Sequence, residues 1–494
     1  MSRRKPVTIA AVIVVLIGSL GTVMGVRWWN GRCDAMVGAV PTTQKLPSNI
    51  RAVKPADVNL EPLVQSQRVF ARNVLAQAQR TPSLGTLRSV AVAADEKTLA
   101  PREARQVVGV ADGEPLLLFK QIELEGKQRV SAGALTRLDS NTGGKSWARW
   151  YNNHELEAAQ TPQGLALTQL PSGKVPQVAS VDPRSGELQW CVSVGGEHAT
   201  AVLASGDSGL FALSDSDYYE DDQPPTLIAL NPLTGKTRWK KQIDGFDDRG
   251  TVDAFGDKVL VTQWGDKTAD RPWHPMLDRN GHVKTDGGAL RAFRADDGEP
   301  AWEYGGPGGS GWLLSVVGAR DSSAVVVATR TRPDAAGKGG ERYVFSGRDS
   351  QNWLIGLGPD GRERWRQDLA NRINAGARSG VSLAGDAVLT FEYKDTSVDT
   401  QTVVAREMST GKTRWVKDFD HYQRSVRPAR LAVVDGSLLI ARAHDLISIN
   451  LTSGAVQTLL IDAGVAADLD VKVDGRAIVA QAAGLILTFD RRPR

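Results

Sequence analysis

The sequence predicts an all-β fold: an eight-bladed β-propeller of four-stranded antiparallel blades, with seven blades as the alternative, preceded by one N-terminal transmembrane helix. Three observations predict it. A nine-residue phrase built on Asp or Asn, Gly and Trp recurs seven times, short alternating apolar runs precede its copies, and the 494-residue chain carries 50 Gly and 13 Trp. Many glycines mean many turns that need positive φ, which favours short strands over long helices.

Taken in chain order, residues 1–6 are a basic tail holding Arg3, Arg4 and Lys5. From Val7 to Val26 about 20 residues pass without a charge, enough to cross a ~30 Å hydrocarbon core as a helix. The basic residues before this span place the N-terminus in the cytoplasm, and Trp28 and Trp29 follow where an interfacial aromatic belt would sit. The rival reading is a cleaved secretory signal, but its apolar region would be overlong and no Ala-x-Ala site ends it. Both readings export the remainder, so the expected location is the plasma membrane, single-pass, with the propeller extracytoplasmic. Residues 27–85 read as a stalk. Its stretch "VPTTQKLPSNIRAVKPADVNLEP" is polar and spaced by prolines, while Leu63, Val64, Phe70, Val74 and Leu75 lie near helical spacing. That spacing predicts a short amphipathic helix that packs on the domain or on a partner.

The propeller is expected over residues 86–494. The phrase appears as "DSNTGGKSW" (Asp139, Gly143, Trp147), "DPRSGELQW" (Asp182, Gly186, Trp190) and "NPLTGKTRW" (Asn231, Gly235, Trp239). It returns as "RADDGEPAW" (Gly298, Trp302), "GPDGRERW" (Gly361, Trp365), "EMSTGKTRW" (Gly411, Trp415) and "NLTSGAVQT" (Asn450, Gly454), where Thr458 replaces Trp. Spacings of 43 to 63 residues between the glycines mark a repeat architecture with loop insertions. Runs such as "QVASVD", "LIALN" and "LISIN" before the phrase read as strands with one buried face. Asp or Asn accepts hydrogen bonds from turn N–H groups, Gly supplies the left-handed residue of a bulged turn, and Trp fills a seam between neighbouring sheets. A further strand and turn lie upstream, as in "GDKVLVTQW" and "DGSLLIARA", giving about four strands per repeat. The last run, "GLILTFD" (484–490), has no turn, Gly or Trp after it. Its missing outer strand is expected from "GTLRSVAVAA" (85–94), which would close the ring and remove a free edge.

A net charge of +4 and a pI near 8.9 suggest nucleic acid only until the basic tail is set aside. The remainder holds 57 bases against 56 acids with no basic stripe, so no nucleic acid is expected. Two cysteines, Cys33 and Cys191, allow one disulfide arithmetically. Two unpaired or buried thiols are expected instead, because a bond would tie the stalk to the folded domain.

Two segments are candidate sites. "SDSDYYEDDQPP" clusters Asp215, Asp217, Glu220, Asp221 and Asp222, an oxygen-ligand density suited to Ca²⁺. It lacks the turn Gly and terminal Glu of an EF-hand loop, so a solvated acidic loop is the expectation and no metal is assigned. The insertion 264–288 holds Trp264, Trp273, His274, Asp278 and His282, a candidate recognition loop for a partner or, through rings and carboxylates, a sugar. Six histidines, at 154, 198, 274, 282, 421 and 444, are scattered over different repeats; no GxSxG elbow or P-loop appears, and no catalytic residue is assigned.

The repeat, apolar-x-Asp/Asn-x-x-Thr-Gly-Lys-x-x-Trp, resembles that of the PQQ-like β-propeller family over roughly residues 86–490. In plan the chain is similar to the non-catalytic, BamB-type members, and this implies a scaffold that binds envelope or membrane proteins, with no cofactor. The alternative the family implies is a PQQ-dependent quinoprotein oxidoreductase, with the quinone on calcium in the central channel beside a disulfide of adjacent cysteines. This chain has no such cysteine pair. A further alternative is an extracytoplasmic ligand sensor working with a membrane partner.

Overall fold

The computed structural model describes residues 52–61, 63, 65–92, 105–119, 133–139, 145–151, 156–161, 164–169, 177–194, 201–214, 224–243, 250–263, 290–308, 312–320, 323–331, 350–369, 380–393, 400–420, 431–441, 445–461, 470–473, 477–482 and 485–490. The first described elements are strand β1 (Ala52–Val53), helix α1 (Gln65–Ala78) and strand β2 (Thr86–Val92). Seven four-stranded antiparallel meanders follow. Blade 1 is β3 (Arg105–Ala111), β4 (Glu114–Phe119), β5 (Gly133–Leu138) and β6 (Lys145–Tyr151); blade 2 is β7 (Leu156–Thr161), β8 (Gly164–Gln169), β9 (Gln177–Val181) and β10 (Leu188–Ser193). Blade 3 is β11 (Ala201–Gly206), β12 (Gly209–Ser214), β13 (Thr226–Leu230) and β14 (Thr237–Gln242); blade 4 is β15 (Gly250–Phe255), β16 (Lys258–Gln263), β17 (Leu290–Arg294) and β18 (Pro300–Tyr304). Blade 5 is β19 (Leu313–Arg320), β20 (Ser323–Thr331), β21 (Ser350–Leu357) and β22 (Glu363–Asp368); blade 6 is β23 (Val381–Ala384), β24 (Ala387–Tyr393), β25 (Thr400–Glu407) and β26 (Thr413–Asp420). Blade 7 is β27 (Leu431–Val434), β28 (Ser437–Ala441), β29 (Asp445–Asn450) and β30 (Val456–Ile461).

Blade 8 is built from both ends of the chain. β31 (Asp470–Val473), β32 (Ala477–Ala482) and β33 (Leu485–Asp490) supply three strands, β2 pairs antiparallel with β33 as the fourth, and β1 adds a short fifth. The register runs Val90 opposite Leu487 and Val92 opposite Leu485. There are therefore eight blades, not seven. Their innermost strands touch in a complete circle, from β3 against β7 round to β31 against β3.

The core is divided by this geometry into eight apolar clusters, one in each seam between neighbouring blades. A blade in the ring has a neighbour on each face, so its middle strands are covered on both. Thus β9 and β12 are buried at every position, where the sequence pattern predicted one buried face. Apolar runs buried on both sides lose their alternation for the same reason.

The repeated phrase builds a latch across six of these seams. In blade 3 the Asn231 side-chain oxygen accepts from the N–H groups of Leu233 and Thr234 at 2.9 and 3.1 Å, and Gly235 N–H donates to the Asn231 carbonyl at 2.8 Å. Gly235 stands at φ +68, and a Cβ there would lie 2.5 Å from the ring of Trp190 in blade 2. That indole N–H donates to the Pro232 carbonyl at 2.8 Å. The same relation joins Trp147 to Pro183, Trp239 to Ala295, Trp302 to Pro359, Trp365 to Met408 and Trp415 to Leu451. Each Trp thus caps the turn of the following blade. β33 ends without such a turn, so a Trp in blade 7 would have nothing to cap, and that position is Thr458. There the bulge that places Trp on its seam in blade 6, beside Ala405, is displaced outward to Leu459.

Helix α1 occupies one of the two seams without a latch, that between blades 7 and 8. Its Ala71, Val74 and Ala78, together with Leu63 and Leu84, are buried with Leu439, Leu446, Leu459 and Phe489 of blades 7 and 8. The Thr81 hydroxyl donates to the Leu459 carbonyl at 3.1 Å. The described part of the expected stalk, from Ala52 onward, therefore lies on the propeller. Among the described residues no helix is long and apolar enough to cross a membrane; the span 7–26 lies outside them.

Candidate partner-binding face

An antiparallel meander alternates its connections between the two faces of the disc. The links from first to second and from third to fourth strand share one face, and in blades 1–7 none exceeds six residues. Links from second to third strand, and from each blade to the next, begin and end on the other face. The longest joins Gln263 to Leu290 and runs for 26 residues.

On the turn face several charged groups pair with one another. Asp112, in a hairpin turn of blade 1, pairs with Arg184 of blade 2 at 2.9 Å. Asp257 pairs with Lys258 at 2.7 Å, and the hydrogen bond from that lysine holds its carboxyl below the usual range. Asp386 receives two bonds from Arg414, at 2.9 and 2.6 Å, which lower its pKa and raise that of the arginine. Arg414 belongs to a device that the motif reading did not single out. The residue just before Trp in "TRW" or "ERW" sits in the bulge and reaches back to its own blade's first hairpin. Arg238 donates to the Ser208 carbonyl at 2.8 Å and Arg364 to the Ser323 hydroxyl at 3.4 Å. The Arg-Trp dipeptide was the available signal.

The sequence-derived candidates distribute unevenly. Asp139 directly follows β5 and Trp147 lies in β6, while Gly143 lies outside the described residues. So do Asp215, Asp217, Glu220, Asp221 and Asp222, and likewise Trp264, Trp273, His274, Asp278 and His282. The described ends of both segments, Ser214 and Pro224, Gln263 and Leu290, belong to second-to-third-strand links. All six histidine positions, 154, 198, 274, 282, 421 and 444, lie outside the described residues.

The half-buried positions of the innermost strands include Val108, Leu203, Ala254, Val317, Leu383 and Val473, with Asp253 and Lys472 among their charged residues. Among the described residues no three His, Cys, Asp or Glu side chains converge. A quinone on calcium needs a cluster of oxygen donors and cations around the channel, and the described wall does not supply that set. Away from the channel, Arg406 and Glu392 form a buried ion pair at 3.1 Å on the blade 5–6 side of blade 6, with Thr390 bonded to both. A groove of about 390 Å³ at the rim of blades 3 and 4 is lined by Lys241, Arg291, Phe293, Trp302 and Glu303. One expectation is corrected here: Cys191, in β10, is disulfide-bonded.

Residues 176–333 match the family model described as PQQ_2, outer membrane protein assembly factor BamB. The matched residues, about a third of the chain, run from blade 2 to blade 5, and over them the chain is similar to the PQQ-like β-propeller family. No curated protein matches this chain significantly. Among solved structures it is similar to BamB from Moraxella catarrhalis, at 16% identity over 82% of this chain and 100% of that one, with a TM-score of 0.44. The quinohemoprotein alcohol dehydrogenase from Comamonas testosteroni is similar at 12% identity, over 79% of this chain and 76% of that one, with a TM-score of 0.43. At these scores neither likeness carries an argument about what this chain does.

Proposed function

We propose that the protein is an extracytoplasmic, membrane-anchored, non-catalytic propeller that holds another envelope or membrane protein against its long-connection face. The asymmetry of the disc carries this reading. Its turn face is closed by short turns in which Asp112, Asp257 and Asp386 are paired internally, whereas the other face carries the links long enough to form a recognition surface. A bonded Cys191 supports an oxidising compartment, as does the uncharged span 7–26. The match to a family model named for BamB, described as an outer membrane protein assembly factor, supports a binding role.

Photo-crosslinking in intact cells tests the assignment. A benzophenone side chain placed at Gln242, Asp368 or Asp418, exposed near the long-connection ends of outer strands, is expected to capture a discrete partner. The same probe at Leu233, Lys412 or Ser453 on the turn face is the control. Capture only from the turn face would sink the reading. The oxidoreductase alternative is addressed by a thermal melt with PQQ and Ca²⁺: a ligand at about 100 times its dissociation constant adds ~2.7 kcal/mol, and a shift of that size would replace the scaffold with an enzyme.

A further inference from the structure

Blade 8 shows how an outer edge of this ring takes an added strand. β1 pairs antiparallel with β2, Ala52 opposite Ala91, and Ala52 is buried with Val107, Val110 and Leu117 in the blade 8–1 seam. A fifth strand thus sends a side chain into the seam shared with the next blade. Blade 3 has the same place and, among the described residues, no strand on it. Its outer strand β14 ("TRWKKQ") holds Arg238, Lys240 and Lys241, with Lys236 just before it and no acid from 236 to 242. By contrast β22 ("ERWRQD") and β26 ("TRWVKDFD") each balance two cations with two acids. The two faces of β14 differ. Lys241 stands opposite Leu227 on the blade 4 side, where Glu299 pairs with it at 3.2 Å. Lys240 stands opposite Ile228 on the blade 2 side, next to an outer strand, β10, that carries no charge. Lys236 and Lys240 are exposed and have no acidic partner among the described residues. On the blade 4 side runs the groove of about 390 Å³, where Arg291 pairs with Glu303 at 3.1 Å and Ile243, Phe293 and Ala301 supply apolar surface.

We infer that β14 is a docking edge for an extended segment of a partner protein in which acidic and apolar residues alternate. Added as a fifth strand, such a segment takes main-chain hydrogen bonds from β14, as β1 does from β2. Strand side chains point alternately to opposite faces, so its acidic residues lie beside Lys240 while its apolar ones enter the groove. Along the six residues of β14 it spans about 20 Å. Unbalanced positive charge also selects the occupant, since it repels a second copy of this edge and attracts an acidic strand. The site is on the rim, apart from the long-connection face. Probes at Asp368 and Asp418 read that face without β14, so either reading can fail alone.

Full-length protein in detergent is titrated with a fluorescein-labelled peptide, Glu-Val-Glu-Val-Glu-Val-Glu, and with its Lys-Val counterpart. Saturable binding of the first and none of the second is expected, with amide exchange slowed in β14 and unchanged in β26. K240E should weaken binding roughly fivefold. A301W, which fills the groove from an exposed position, should abolish it, whereas K412E, in an exposed turn of blade 6, should leave it unchanged. Hydrogen bonding distinguishes an added strand from loose electrostatic attachment. Only alternate N–H groups of such a strand face its neighbour, so N-methylation of one alternate set of peptide residues should abolish binding and of the other should not. No saturable binding, equal binding of the Lys-Val peptide, or the same response to both methylated sets would overturn the docked strand.

Discussion

At Gly235 two demands meet, a left-handed backbone and the absence of a Cβ under the Trp190 ring. Gly436 shares the first demand, at φ +70, but a Cβ there would meet nothing within 4 Å. Gly436→Ala is therefore expected to cost about 1 kcal/mol and Gly235→Ala about 3 kcal/mol or more, the difference measuring the latch in urea titrations. The Trp itself is tested by exchange of residues between blades. Trp415→Thr should cost about 3–5 kcal/mol, since it empties a buried position and orphans the Leu451 carbonyl. Thr458→Trp, at an exposed site with no turn to cap, should change stability by less than about 0.5 kcal/mol. Another contact across a seam is polar. The Tyr304 hydroxyl in blade 4 donates to Glu363 of blade 5 at 2.6 Å, and burial, reinforced by that carboxylate, pushes its pKa well above the ordinary value. A raised folded pKa favours the protonated state, so its contribution is complete below about pH 10 and is lost as pH climbs toward the folded pKa. Between pH 10 and 12 wild type should lose stability faster than Tyr304→Phe, by up to about 1.4 kcal/mol per pH unit. Parallel curves would mean that the tyrosine titrates normally.

Strand β2 is the element on which the ring depends. Val90 is fully buried opposite Leu487, so Val90→Asp places an unpaired carboxylate in the blade 7–8 seam. A loss of about 3–5 kcal/mol is expected, with early exchange of β33 amides. The equivalent change at Val416 in β26, 51% exposed, should be nearly silent. This strand was legible beforehand because "GLILTFD" lacked a partner and a ring abhors an edge. Helix α1 was legible as a helix from its spacing, but its seat was not. What seats it is a missing Trp in blade 7, a feature that becomes informative only once the next blade is known to lack its turn. The bulge arginines were visible as Arg-Trp pairs, yet their targets are carbonyls and hairpin side chains about 30 residues away, which no local pattern encodes.

For the molecule as a whole, fold and site separate in how far sequence reaches. The repeated Gly and Trp are read so easily because each is spent on building seams, and for that reason they say nothing of a ligand. The groups that would bind a partner sit on links whose composition follows no repeat, and the buried Arg406–Glu392 pair arises from strands meeting in space at separations no motif spans. Blade 8 has one more consequence, and it concerns time. Val92 leaves the ribosome roughly 400 residues before the β33 strand it must pair with, a delay of about 20–80 s at 5–20 residues per second. Seven blades can form in that interval while β2 waits as an apolar strand without a partner. Ring closure thus waits for residues 485–490, and whatever shields residues 86–92 during that wait sets how much of the chain ever becomes a disc.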